Sequence, residues 1–261
     1  MRRVITAGLV VVLLVDVFLV VGAKSLHRVT PADAAARYGQ GPTFAGLPGW
    51  DRPLGGVRPL PGVYLYATTG SADIDRLGVR RRYPATTPRI VRHGPGCQWQ
   101  EEVAIFREHV ETYAACAIAG DQREVAFGTR LSYFFIPGVT DLRCGEGGSR
   151  TAAGRAVGKI FTVFCHDDEH DVDAEVGVTF VGVAQLRVGD QAVACRRLLV
   201  TTQLRGSTSG VAVRQLCVTP DTGVVVHEKR NVGVSIDSAF IGRVSYTEAA
   251  EFALTSMTPL G

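Results

Sequence analysis

The chain has 261 residues, of which 46% are hydrophobic and 20% charged, and its net charge is +3. That composition argues for a packed core rather than a disordered chain. The basic residues are scattered apart from Arg80-Arg81-Arg82, and no stacking aromatics accompany them, so a nucleic-acid partner is not expected.

Arg2 and Arg3 precede "VITAGLVVVLLVDVFLVVG", Val4 to Gly22, nineteen nearly apolar residues. A bilayer-spanning helix needs about 20 such residues. Residues 1–24 therefore read as a transmembrane anchor, with the arginines inside and the rest of the chain outside the cytoplasm. The alternative is a signal peptide cleaved at "VGA", Val21 to Ala23, which leaves a secreted protein. Residues 25–62 read as a short helix followed by a linker. Thr30 caps the helix, Pro31 suits its first position and Asp33 its first turn. The Pro/Gly-rich stretch after it sustains neither a helix nor a central strand, and Phe44, Leu47 and Trp50 are the residues that can pin it to the domain surface.

Residues 63–261 read as one extracytoplasmic β domain. Aromatic and β-branched runs recur, beginning with "GVYLYATTG" and continuing through "CQWQEEVAIF", "HVETYAACAIAG" and "REVAFGTRLSYFF". They resume with "KIFTVFC", "EVGVTFVGVAQLRV", "QAVACRRLLVTTQL", "GVAVRQLCV" and "GVVVHEKR". Short turn-forming stretches between them predict mostly antiparallel pairing. The expected fold is mainly β: a large curled sheet, half-barrel or sandwich, of about nine to eleven strands. The end, "YTEAAEFALTS", is expected to be a short C-terminal helix capped by Thr247.

Six cysteines, Cys97, Cys116, Cys144, Cys165, Cys195 and Cys217, all follow the apolar segment. An even set outside the membrane reads as three disulfides, with pairing between sequence neighbours expected. Cys97 faces Cys116 if the chain turns at Phe106-Arg107. Facing Cys195 with Cys217 places the turn at Gly206 and calls for a bulge or a skewed loop.

The densest chemical cluster is "CHDDEHDVDAE", Cys165 to Glu175. His166 and His170 with Asp167, Glu169 and Asp171 form the one local candidate for a metal. The flanking runs read as strands, however, so a solvated turn is the preferred account. The calcium-loop pattern also fails, because Val172 and Val178 stand where glycine and glutamate are needed. "AGRAVGKI" lacks the Ser or Thr of a phosphate loop, and "GSTSG" and "PDTG" read as hairpin turns. His93, His109 and His227 have no acid or nucleophile at a telling spacing. Tyr64, Tyr66, Trp99, Phe106, Tyr133, Phe134 and Phe135 are core residues, or the lining of a groove if the sheet is curled and open.

The stretches "GVYLYATTGSADIDRLGVRRRYPATT", "GCQWQ", "PDTGVVVHE" and "YTEAAEFALTSMTP" resemble actinobacterial membrane-anchored or secreted proteins of unknown function. That resemblance implies an envelope location and no particular activity. The curled sheet is also analogous, at fold level, to the half-barrel of bacterial lipoprotein carriers. The expected function is a binding module for an apolar envelope molecule or a protein partner, without a cofactor. The alternative is a secreted or anchored hydrolase with its site hidden in the sequence.

Overall fold

A computed structural model describes residues 27–40, 52–75, 78–118, 121–133, 136–145, 156–238 and 242–260. The apolar N-terminal run and Phe44, Leu47 and Trp50 lie outside the described residues. Among those described, no helix is long and apolar enough to cross a membrane.

Helix α1 (Pro31–Gly39) forms where its caps predict. Thr30 and Asp33 exchange hydrogen bonds in a capping box, Pro31 opens the helix and Ala34 is buried beneath it. Residues 52–60 are tied to the barrel instead of swinging free. Cys97 N donates to Arg52 O, Gly55 N to Ala117 O, and Arg58 Nη1 to Gly96 O.

Among the described residues, thirteen strands follow in chain order. The first six are β1 (Gly62–Ile74), β2 (Val79–Arg82), β3 (Thr86–His93), β4 (Gln98–Phe106), β5 (His109–Ile118) and β6 (Asp121–Tyr133). Next come β7 (Ile136–Cys144), β8 (Ile160–Asp167), β9 (Val172–Val188) and β10 (Gln191–Gly206). The last are β11 (Thr208–Val218), β12 (Val225–Ser238) and β13 (Gly242–Leu254). Each strand from β3 to β12 pairs antiparallel with the next. β1 pairs with β3 on one side and β13 on the other, which closes a ring of twelve strands. Among the described residues, the short β2 pairs only with the end of β1.

The fold is mainly β and antiparallel, as expected, and the closed barrel is more specific than the half-barrel or sandwich. Two expectations are corrected: thirteen strands form where about nine to eleven are expected, and the C-terminal helix is instead strand β13. Its helix-favouring Ala249-Ala250-Glu251 is overridden because β13 lies between two strands and pairs along both edges, as at Tyr66↔Leu254 on β1 and His227↔Ala253 on β12. Its side chains alternate, with Val244, Tyr246, Glu248, Ala250, Phe252 and Leu254 buried. Propensity differences of tenths of a kcal/mol per residue cannot outweigh a two-sided ladder. Gly70 permits this close approach on β1. Its φ is +139°, and a Cβ there would lie 2.4 Å from the Ala249 carbonyl oxygen.

The three neighbour disulfides form, Cys97–Cys116, Cys144–Cys165 and Cys195–Cys217. The third joins a diagonal pair, since Cys217 stands opposite Arg197. The ring has a thin seam. Among the described residues, β7 and β8 pair only at Arg143↔His166 and Cys144↔Cys165, and the second of these pairs is the disulfide itself.

Candidate functional site

A ring of twelve strands is wider than the eight-strand barrels whose lumen ordinary side chains can fill. Here long Arg, Glu and Tyr side chains cross part of it. They come from alternate positions, because a strand sends every second residue to the same face. β5 contributes His109, Glu111 and Tyr113, β12 contributes Glu228 and Arg230, and β13 contributes Tyr246 and Glu248. All of these are buried.

Three guanidiniums organise this network. Arg89 on β3 donates to Glu101 Oε1 at 2.9 Å and to Glu228 Oε2 at 2.7 Å, and lies 4.2 Å above the Tyr66 ring. Arg214 on β11 donates through Nε to Glu228 Oε1 at 2.8 Å and stacks over Tyr113 at 4.5 Å. Arg230 donates to Glu111 Oε2 at 2.6 Å and through Nε to Glu248. Tyr113 and Tyr246 donate their hydroxyls to Glu111 and Glu248, and His109 Nε2 lies 3.2 Å from Glu111 Oε1. Burial opposes ionisation of Glu111, yet Arg230 and His109 hold its carboxyl well below the usual range. Burial likewise opposes ionisation of Glu228, which Arg214, Arg89 and Arg230 keep charged.

His109, Glu111 and Glu248 place one ligand atom each within 4.8 Å of one another, a spacing that suits a cation. Arg230 bridges these two carboxylates and supplies that positive charge. The carboxylates of this group are thus already paired within an ion-pair network.

Beside the network lies a cavity of about 210 Å³. Its apolar wall includes Phe127, Leu142, Val200, Leu204, Val232 and Ile236, from β6, β7, β10 and β12. Its polar wall includes Arg214, Arg230, Glu124 and Glu111. His170 and Ser207, both in turns, also border it, as does Asp237 near the end of β12.

The acidic stretch from Cys165 to Glu175 is the expected turn, between β8 and β9. Asp171 sits there at φ 51°, a left-handed conformation that aspartate tolerates. Its histidines are engaged by different acids. His166 Nδ1 lies 2.7 Å from Asp173 Oδ1, a bond that raises its pKa. His170 Nδ1 lies 2.9 Å from Asp167 Oδ2. Burial opposes ionisation of Asp167, but hydrogen-bond donors, led by the Asp141 amide, outweigh it and hold its pKa low. Asp167 also accepts from the Glu169 and His170 amides. Among the described residues, the convergent group of ligand atoms is the lumenal one, and this turn supplies none of it. Ser207 Oγ donates to the His170 carbonyl rather than to its ring.

The other histidines divide. His93 Nε2 lies 2.7 Å from Pro59 O, and burial lowers its pKa. His227 pairs with Glu251 on the outer face. His109 alone of these three reaches the lumen network. Tyr64, Tyr66, Trp99 and Phe106 are core residues and do not border the large cavity. Phe134 and Phe135 lie outside the described residues, as does the Tyr133 side chain.

Sequence spacing does not single out Glu111, Glu228, Arg230 or Glu248, and it leaves His109 an isolated histidine. The signal that could have found them is alternation within strands. His109, Glu111 and Tyr113 occupy every second position of one strand, as do Glu228 and Arg230 of another.

No protein-family model matches the chain, and no curated protein matches it. One similar solved structure is the hypothetical lipoprotein YmcC of Escherichia coli. It is 13% identical, with a TM-score of 0.36 over 77% of this chain and 87% of that one.

Proposed function

We propose that the barrel is an extracytoplasmic binding module that holds a small amphipathic molecule in its lumen. The carrying observation is the cavity of about 210 Å³, apolar on one wall and charged on the other. Small-molecule sites combine an apolar lining with a few placed polar groups, and barrel interiors are among their usual places. An apolar cavity of about 150 Å³ takes benzene, so this one suits a short chain or a substituted ring of roughly eight or nine non-hydrogen atoms. Three disulfides fit an oxidising compartment, and the apolar N-terminal run fits anchoring or export at the envelope.

The test is to fill the space. Ala212 borders the cavity from β11. Ala212→Phe should abolish binding of short amphiphiles such as methyl hexanoate, measured by isothermal titration calorimetry, while the fold persists by circular dichroism. Unchanged binding in the folded variant would sink the lumenal reading.

A further inference from the structure

The head group of the ligand can be inferred from which hydrogen-bonding capacity the polar wall leaves unused. This step rests on the lumenal reading above. Every carboxylate oxygen of Glu111, Glu228 and Glu248 has a donor. Glu111 is met by His109, Tyr113 and Arg230. Glu228 is met by Arg214 and Arg89, and Glu248 by Arg230 and Tyr246. An arriving ammonium group would have to displace one of these donors.

Donor capacity is what remains. Arg214 spends only Nε on Glu228, and its two terminal amino groups have no hydrogen-bond partner among the described residues. Its side chain is 11% exposed and borders the cavity. Arg230, 3% exposed, also borders the cavity and leaves Nη2 without a partner. A buried donor left unsatisfied, as Arg230 Nη2 is, is costly, so the wall calls for an acceptor.

Charge then selects among acceptors. Arg89, Arg214 and Arg230 already face Glu101, Glu111, Glu228 and Glu248, three guanidiniums against four carboxylates, and a charged His109 beside Glu111 brings the two signs only to balance. Glu124 borders the same cavity. A free carboxylate or phosphate would enter surroundings with no surplus positive charge and would also lose its own hydration. An uncharged carbonyl supplies lone pairs without that cost.

We propose that the lumen takes an acyl ester or amide, its carbonyl accepting from the terminal amino groups of Arg214 and its chain lying along Phe127, Leu142, Val200 and Leu204. The acyl chain is about six carbons, scaled from the benzene-sized cavity.

The experiment compares methyl hexanoate, hexanoate and hexylamine as ligands of the full chain at pH 7 by calorimetry. Methyl hexanoate should bind about tenfold more tightly than either charged probe, a difference of about 1.4 kcal/mol. Arg214→Met should remove that preference, with near-ultraviolet circular dichroism confirming the fold. Arg214→Lys, which keeps the charge and loses the planar fork, should retain part of it and serves if the methionine variant fails to fold. Tighter binding of hexanoate or hexylamine overturns the head-group assignment. So does a preference that survives in full in the folded Arg214 variants. If none of the three probes binds, or if Ala212→Phe leaves all three unaffected, the lumenal reading itself falls.

Discussion

The two sides of the lumen solve the same problem differently. β3, β4, β5, β12 and β13 meet across it through Arg89, Arg230, Glu101, Glu111, Glu228 and Glu248, with Tyr66 and Phe252 stacked on the guanidiniums. The side formed by β6, β7, β9 and β10 carries mostly aliphatic side chains, such as Leu142, Val178, Val200 and Leu198. Aliphatic chains are too short to meet across a ring of twelve strands. Arginine and glutamate have the reach, and they must then satisfy one another. The charged side is therefore filled and the aliphatic side keeps a cavity.

This contrast can be broken in graded ways. Acid should have the largest effect, because it attacks several carboxylates of one side together. Glu111 and Glu228 titrate in the folded barrel well below their ordinary value of 4.5. Their stabilisation is complete above that unfolded value and drains as pH falls below it. A thermal-melt series from pH 7 to pH 3 should show the midpoint falling steeply only below about 4.5. A flat series would mean that the network does not hold the barrel together.

Glu228→Gln comes next. It leaves Arg89 and Arg214 buried with less counter-charge, and should cost about 3–5 kcal/mol in urea unfolding. By comparison, Ala212→Phe on the cavity side should cost about 1 kcal/mol or less, because there is room for the ring. Similar losses for the two variants would erase the distinction between a filled and an open side.

The third test concerns the seam on the cavity side. The three disulfides span 19, 21 and 22 residues, so each should contribute about 3 kcal/mol by chain entropy alone. Only Cys144–Cys165 also holds a strand pair with almost no ladder. The double variant Cys144→Ser/Cys165→Ser should speed hydrogen exchange in β7 and β8, while Cys195→Ser/Cys217→Ser should leave those strands protected. Equal exchange in both variants would show that the seam has other support.

Much of the architecture is legible in the chain. The strand runs, the hairpin turns at "GSTSG" and "PDTG", the cap at Thr30 and the neighbour disulfides all appear where local chemistry puts them. β7 is hard to read because Pro137-Gly138 looks like a break. β13 looks helical because alanine and glutamate favour a helix in isolation. The lumen network is hidden for a different reason. In β12, His227 and Lys229 alternate with Glu228 and Arg230, so both faces carry charge and periodicity does not say which points inward.

The acidic turn shows the converse. Its density of His, Asp and Glu suggests a metal, and in the fold its two histidines lie beside separate acids, His166 with Asp173 and His170 with Asp167, at the end of a hairpin. Most of the antiparallel strands, their turns and the cysteine pairing follow from the amino-acid order alone, because each depends on neighbours close along the chain. Three features follow only from the folded barrel: that β1 meets β13, which phase of each strand faces the lumen, and that Arg214 borders a cavity. Those features depend on closing the ring, which joins residues as far apart as Tyr66 and Leu254.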